Sequence, residues 1–202
     1  MNASQEQLNS QKTQIPKIKD SVNLGLVGGL LGTLALDFSN LLFWKKNKSE
    51  TLYGQLAGSI FMKNFRTKKR NNFLLGEIIH LITGLLAGIP LVYVFKKTGK
   101  DGHLYKGAAY GSLIWMVYYV LGIKMGMFHS QPKYNKTHSS SLWQNLLYGI
   151  ITAQSIVYLA HPSVFPGNPS KSAQWKKQQK AANGNAWALP HYTDYETEKV
   201  IH

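Results

Sequence analysis

Three ionisable side chains stand inside long apolar runs of the sequence. Asp37 follows "GLVGGLLGTLAL", and Glu77 and His80 lie three positions apart in "FLLGEIIHLITG". A carboxylate beside an imidazole can exchange protons, bind a cation or polar ligand, or join two helices by a hydrogen bond. Glu-x-x-His is also the repeat of di-iron bundles, but such a site needs two copies and two further carboxylates. A mononuclear site completed by His129 or His138 is an alternative; we predict no metal or cofactor.

The elements that must position these side chains are four apolar stretches between polar loops and tails. Each approaches the roughly 20 residues that a helix needs to cross a bilayer. The stretches are 22–44, 73–95, 104–123 and 142–160. They are too long for the strands of a membrane barrel and lack the polar face of a soluble bundle. The sequence therefore predicts an all-α integral membrane four-helix bundle with flexible polar tails at 1–21 and 161–202.

The formal net charge of +14 comes mainly from Lys and Arg that flank the apolar stretches. This placement is typical of juxtamembrane segments that contact anionic lipid headgroups, so membrane lipids are predicted partners. No zinc-finger spacing or RNA-binding signature favours nucleic acid as a partner. The absence of cysteine excludes disulfides and thiolate metal sites. The polar N-terminus does not resemble a cleaved secretory signal.

Orientation in the membrane does not follow from charge, because Lys and Arg are divided evenly between the two predicted sides. An even number of spans places both polar tails on one side, and we predict that this side is cytoplasmic. The first loop contains a helix candidate at 51–62 with Ser49 as its N-cap. Since this segment is too short to span, we expect an interfacial helix or one that re-enters the membrane part-way. We expect a solvated C-terminal tail, and the alternative is a segment that docks on a partner or on the bilayer surface.

Small residues recur at helical spacing on all four stretches, which indicates close helix packing. The predicted packing residues are Gly25, Gly29, Gly32, Gly84, Gly88, Gly107, Gly111 and Gly149. Tyr118 continues the glycine line of the third stretch. Packing within one chain is favoured, and homo-oligomerisation through "GLVGGLLG" is the alternative. A Tyr-Gly pair recurs at 53–54, 110–111 and 148–149 without forming a convincing repeat.

The depth of the polar residues predicts that they meet. Asp37 and His80 both lie about 6 Å from the centres of their spans, and Asn40 and Glu77 about 10 Å. In antiparallel neighbouring helices Asp37 then meets His80, and Asn40 meets Glu77. The predicted intramembrane polar cluster comprises Asp37, Asn40, Glu77, His80, Tyr118 and Asn145. It acts either as a structural clamp or in proton, cation or ligand handling.

Three stretches carry a resemblance to a known group. They are "GLVGGLLG", "YKGAAYGSLIWMVYYV" and "LWQNLLYGIITAQSIVYL". Over residues 22–160 the chain resembles small uncharacterised bacterial four-span membrane proteins of the YqhR-like group. The resemblance implies a bacterial cytoplasmic-membrane location and brings no assigned activity.

These features favour a non-enzymatic, polytopic membrane protein with a structural or partner-binding role. The predicted partner is another membrane protein or a second copy of this chain. No Ser, Cys or Lys motif indicates nucleophilic catalysis. The alternative is a small proton- or cation-coupled, or ligand-binding, membrane protein that uses Asp37, Glu77 and His80.

Overall fold

The computed structural model describes residues 16–130 and 132–165, and in this part of the chain all regular structure is helical. The α-helices are α1 (Ser21–Lys45), α2 (Tyr53–Gly58), α3 (Asn64–Thr67), α4 (Arg70–Thr98), α5 (His103–Ile114), α6 (Gly122–Lys124) and α7 (Asn135–Leu159). A π-helical segment, Trp115–Leu121, joins α5 to α6. The prediction of an all-α fold is confirmed. Most of the predicted tails, 1–21 and 161–202, lies outside the described residues.

Helices α1 and α4 correspond to the first two predicted spans. Asp20 begins α1 by accepting a hydrogen bond from the Asn23 amide at 2.6 Å, which satisfies one free N–H of the first turn. Helix α4 continues through Pro90 and is capped by Gly99, whose φ of 80° suits a residue without a side chain. Both helices are long and apolar enough to cross a bilayer, and within the described ranges no other helix meets that criterion.

The third predicted span, 104–123, is one continuous helical stretch whose second half is π-helical. Between Trp115 and Leu121 the turn is wider than an α-helical turn. The inward face is thereby shifted by one residue, so that Tyr119 is 5% exposed and Tyr118 is 49% exposed. The α-helical spacing that placed Tyr118 on the packing face was wrong for this reason.

Helix α7, which corresponds to the fourth predicted span, begins about two turns before the predicted boundary at residue 142. The predicted span began at residue 142 because the preceding turns of this helix have low hydropathy. Ser140 donates a hydrogen bond to the Thr137 carbonyl at 3.0 Å, and Ser141 donates to the His138 carbonyl at 2.8 Å. Both hydroxyls have hydrogen-bond partners within the helix, so both serines can be buried there.

The helix predicted at 51–62 is shorter than expected, and it packs within the bundle. Its N-cap is Leu52 and not the predicted Ser49. A Cβ on Gly76 of α4 would lie only 2.0 Å from the Gly54 carbonyl oxygen, so the two backbones are in direct contact. This contact holds α2 against α4.

The four long helical stretches pack in the order α4, α1, α7, α5. At each predicted packing glycine, a Cβ would lie 2.6 Å or less from an atom of the facing helix. The glycines at the α1–α4 contact are Gly25, Gly29, Gly84 and Gly88; Gly32 lies between α1 and α7, and Gly107, Gly111 and Gly149 lie between α5 and α7. The "GLVGGLLG" face of α1 is therefore occupied within the chain. Helices α4 and α5 make only slight contact with each other.

Candidate functional site

Asp37 and His80 meet across the contact between α1 and α4. His80 Nε2 lies 3.0 Å from Asp37 Oδ1, and the side chains are 17% and 20% exposed, respectively. Thr33 and Gly84, one turn away on the same faces, bring the two helices close enough for this contact. Tyr53 of α2 stacks on the imidazole with ring centroids 5.0 Å apart and an interplanar angle of 9°. The imidazole is thus held at one edge by a carboxylate and on one face by an aromatic ring.

Glu77 joins this pair from the preceding turn of α4. Its carboxyl group lies against α2, where a Cβ on Gly54 would be 2.3 Å from Glu77 Oε2, and it is close enough to Asp37 and His80 to interact with both electrostatically. We call Asp37, Glu77 and His80 the acid–imidazole cluster.

Asn40 turns away from Glu77 towards the first loop and α7. Its Oδ1 accepts a hydrogen bond from the Tyr53 amide at 3.2 Å. Its Nδ2 lies 3.3 Å from Ser49 Oγ and 3.4 Å from Gln144 Oε1. The expected contact between Asn40 and Glu77 is not formed, because the first loop folds into the bundle and supplies nearer partners.

Asn145 is connected to the cluster through Tyr53. The Asn145 Nδ2 atom donates to the Ser141 carbonyl at 2.8 Å and to the Tyr53 hydroxyl at 3.3 Å. Tyr118, the last predicted member, lies in the π segment on the wall of a cavity. The structure therefore brings Asp37, Glu77 and His80 together, connects Asn40 and Asn145 to Tyr53, and places Tyr118 on the cavity wall.

A cavity of about 260 Å³ lies beside His80, where α4 and the π segment leave space between them. Its wall is largely apolar and includes Leu36, Leu56, Ile79 and Phe128. The polar side chains on the wall include Tyr53, His80, Tyr118, Tyr119, Asn145 and Tyr148. No sequence pattern indicates this cavity, which combines an apolar volume with a few convergent polar groups, as ligand pockets do.

The three Tyr-Gly pairs were the sequence signal for part of this site. The Tyr148 hydroxyl donates to the Gly84 carbonyl at 2.8 Å, and the Tyr110 hydroxyl donates to the Ala87 carbonyl. Tyr53 stacks on the imidazole. In each pair the glycine lies against a neighbouring helix; these glycines are Gly54, Gly111 and Gly149. The glycine allows close approach, and the adjacent tyrosine reaches across the contact.

Glu50 connects the first and third loops outside the predicted spans. Its Oε2 accepts hydrogen bonds from the Lys133 amide at 2.8 Å, the Tyr134 amide at 3.0 Å and the Thr137 hydroxyl at 3.0 Å. Desolvation opposes ionisation, but these hydrogen bonds and the nearby charge of Lys136 outweigh it and lower the pKa of Glu50. The ionised carboxylate therefore holds the two loops together.

The histidines of the third loop do not join the acid–imidazole cluster. His129 Nδ1 lies 2.6 Å from the Ser59 carbonyl oxygen. His138 lies edge-on to Tyr119, with ring centroids 5.6 Å apart. Over residues 16–130 and 132–165 no group of three or more His, Asp or Glu side chains has the arrangement of a metal site. The mononuclear alternative is therefore not assembled in this part of the chain.

These observations define a helical bundle with two helices able to cross a bilayer and an acid–imidazole cluster beside a small cavity. The chain belongs to a family of unknown function, DUF6789, whose model matches residues 19–166. No curated protein and no solved structure matches the chain. The family agrees with the expectation of uncharacterised relatives, and nothing in these comparisons supports the narrower YqhR-like resemblance. The role of the site must therefore be argued from its geometry.

Proposed function

We propose that this chain is a bacterial, multipass membrane protein with four spans, which binds a small amphipathic molecule in the cavity beside His80. The cavity is the observation that carries the binding role. The role involves no chemical step, so the proposed protein is not an enzyme. The bacterial location comes from the YqhR-like resemblance. The even number of spans puts both termini on one side, and we place that side in the cytoplasm because this avoids exporting the two long polar tails.

The outer surface of the bundle supports a membrane environment. Large apolar side chains cover the outward faces of α1, α4 and the stretch from α5 through the π segment. The exposed examples include Leu34, Phe38, Ile78, Ile82, Leu86, Leu113 and Met116. Contiguous apolar surface of this kind is unfavourable in water and favourable against lipid.

The four crossings can be tested by labelling single introduced cysteines. The sequence contains no cysteine, so each introduced thiol is the one site in this protein that the reagent can label. Lys68→Cys in the first loop and Lys133→Cys in the third should react with a membrane-impermeant maleimide in intact cells. Lys100→Cys, between α4 and α5, should react only after the membrane is permeabilised. The reverse pattern contradicts cytoplasmic termini, and labelling of all three in intact cells contradicts four spans.

The size and lining of the cavity define the kind of molecule that fits. An engineered apolar cavity of about 150 Å³ admits benzene, so about 260 Å³ has room for roughly ten non-hydrogen atoms. The apolar wall favours a hydrocarbon or aromatic body. His80, Asn145 and the tyrosines favour a polar group at one end, which explains the preference for an amphipathic molecule.

Two neighbouring positions on α4 provide a matched test of binding. Thr83 lines the cavity, so Thr83→Trp should fill it, whereas Ile82 is 52% exposed on the outer face and Ile82→Trp adds the same side chain outside. We expect Thr83→Trp to weaken binding of 2-naphthol by at least about tenfold and Ile82→Trp to leave it unchanged. Equilibrium dialysis of the protein in nanodiscs, with empty nanodiscs as the blank, measures this. Equal loss in both variants, or no saturable binding by the wild type, contradicts the proposal.

A structural clamp is a second candidate, favoured by the 3.0 Å contact between Asp37 and His80 across two helices. If the contact is a clamp, Asp37→Asn and His80→Gln each lower stability, and a double-mutant cycle gives a coupling free energy of about 1 kcal/mol. If the contact serves binding, thermal melting is unchanged and affinity for 2-naphthol falls. A cycle without coupling and with unchanged affinity excludes both roles.

A further inference from the structure

We infer that the cavity beside His80 opens sideways into the bilayer and takes a molecule with a small hydroxyl-bearing headgroup and a long hydrocarbon chain. This inference rests on the proposed binding function and on the proposed four spans. The headgroup lies inside the cavity, and the chain leaves through the opening into the lipid. The inference is carried by a gap between two helical segments that both line the cavity.

The opening lies between α4 and the π segment. Both elements line the cavity, but they hardly contact each other. Val117 of the π segment belongs to the cavity wall and is 44% exposed, and Tyr118 and Met127 are also both wall residues and exposed surface residues. Side chains that belong to both surfaces lie where the cavity meets the outside of the bundle. The cavity is therefore open at this side.

In the proposed four-span arrangement this opening faces hydrocarbon and not water. On α4 the wall residues Ile79 and Thr83 lie six and ten positions from the start of the second predicted span, or about 9 and 15 Å. Val117 lies six positions, about 9 Å, from the end of the third predicted span. The adjacent residues Ile82 and Met116 are exposed and apolar, as lipid-facing residues are. A ligand therefore reaches the cavity from within the bilayer and must dissolve in lipid.

The imidazole on the wall suits a hydroxyl headgroup. His80 Nε2 lies against Asp37, and the other ring nitrogen, Nδ1, has no hydrogen-bond partner among the described residues. A hydroxyl can donate to a lone pair or accept from an N–H at Nδ1, so it pairs with the imidazole in either protonation state. No Asp, Glu, Lys or Arg belongs to the described part of the wall, and burial of a charged headgroup there is unfavourable. The wall therefore favours an uncharged head.

The volume of the cavity makes its opening decisive for long ligands. About 260 Å³ has room for roughly ten non-hydrogen atoms, the size of a phenol ring with a three-carbon chain. A longer chain binds if the rest of it extends through the opening, where it stays in lipid as it does in the unbound molecule. A long-chain phenol then binds no more weakly than a short one.

Three probes test this inference. They are 4-propylphenol, which fits inside the cavity, 4-dodecylphenol, which has a longer chain, and 4-dodecyltoluene, in which a methyl group replaces the hydroxyl. Each is mixed at a defined mole fraction into nanodiscs that contain the wild-type protein, and displacement of 2-naphthol is followed by equilibrium dialysis with empty nanodiscs as the blank. We expect 4-dodecylphenol to act at the same mole fraction as 4-propylphenol or at a lower one. 4-Dodecyltoluene should need at least about a fivefold higher mole fraction than 4-dodecylphenol, because it leaves the polar wall unpaired.

The outcomes separate this inference from the function on which it rests. If 4-dodecylphenol needs a higher mole fraction than 4-propylphenol, the cavity has a chain-length limit and the lateral opening is overturned. If 4-dodecyltoluene acts at the same mole fraction as 4-dodecylphenol, the hydroxyl headgroup is overturned. The cavity function stands in both cases. Absence of saturable 2-naphthol binding, or of displacement by all three probes, overturns the proposed function itself.

Val117→Trp tests where the chain leaves the cavity. The larger side chain obstructs the opening, so we expect this variant to bind 4-dodecylphenol at least about tenfold more weakly and 4-propylphenol within about twofold of the wild type. Leu113 is 48% exposed and is not one of the wall residues, so Leu113→Trp adds the same side chain outside and should change neither affinity. Unchanged binding of 4-dodecylphenol by Val117→Trp, or equal loss of both phenols, contradicts the assigned position of the opening.

Discussion

Gly88 lies where the backbones of α1 and α4 are closest, and its replacement by alanine probes the packing of the bundle. A Cβ at this position would lie 2.1 Å from the Gly25 carbonyl oxygen and 2.7 Å from the Gly29 nitrogen. Both neighbours are backbone atoms, so no side-chain rotation relieves the overlap. Gly88→Ala must therefore move one helix away from the other.

The size of the effect follows from that distance. Raising 2.1 Å to the roughly 3.2 Å of a tight contact separates the helices by about 1 Å. Overpacking of this kind costs about 1 to 3 kcal/mol, and the gap also loosens the contact between Asp37 and His80. Alanine recovers up to about 1 kcal/mol through its higher helix propensity. We expect a net loss of about 2 kcal/mol in the free energy of unfolding.

Gly58→Ala is the matched control for this substitution. The nearest atom to a Cβ at Gly58 is 3.5 Å away, an ordinary van der Waals contact. The extra methyl group fits, and Gly58→Ala should be neutral or stabilising by less than about 1 kcal/mol. Unfolding in mixed micelles with increasing dodecyl sulfate, followed by circular dichroism, compares both variants with the wild type. Equal stability of Gly88→Ala and the wild type would refute the close contact between α1 and α4.

The hydrogen bonds of Glu50 and Tyr148 should also have measurable effects on stability. Because the pKa of Glu50 in the folded chain lies below its ordinary value of 4.5, ionised Glu50 stabilises the fold at higher pH, and this stabilisation is lost as the pH falls through the folded value. Glu50→Gln should cost about 1 kcal/mol at neutral pH and remove this part of the acid destabilisation, measured as melting temperature against pH; an identical pH profile argues against it. Tyr148→Phe removes the hydrogen bond to Gly84 and should cost about 1 kcal/mol in the same melting assay. Tyr105→Phe, at a position 85% exposed, should cost nothing, and equal effects of the two tyrosine variants contradict the assignment.

The contact between Asp37 and His80 could be predicted from the sequence because it depends on simple geometry. Two antiparallel helices joined in sequence are usually neighbours, and each residue advances the chain by about 1.5 Å, so equal depth places two residues side by side. The glycines on the same faces specify which sides of the helices meet. At this pair, the contact expected from helix geometry is the contact that the structure contains.

The same geometric reasoning fails for Asn40 and Tyr118. The partner of Asn40 depends on the path of the first loop, which brings the Tyr53 amide within 3.2 Å; no helical periodicity describes that path. The exposure of Tyr118 depends on a π turn, which changes the residue spacing on which the face assignment was based. Both errors arise from local backbone geometry that an ideal α-helix does not contain.

No sequence pattern predicts the cavity, because it lies where two helices do not pack against each other. Helices α4 and α5 are consecutive in the chain but make only slight contact with each other, whereas α4 packs on α1 and α5 packs on α7. The hydroxyls of Tyr110 and Tyr148 reach backbone carbonyls of α4 and bridge the gap at one end. The recurring Tyr-Gly pairs point to these residues only when the packing order of the helices is known.

Helix α7 falls below the criterion of length and apolarity because it carries polar side chains where other helices cover them. Gln144 and Thr152 are fully buried, and Asn40 donates to the Gln144 side chain at 3.4 Å. Helix α7 packs against both α1 and α5, so these side chains lie at contacts between helices and not on the outer surface of the bundle. The low hydropathy of α7 therefore reflects polar residues at its helix contacts.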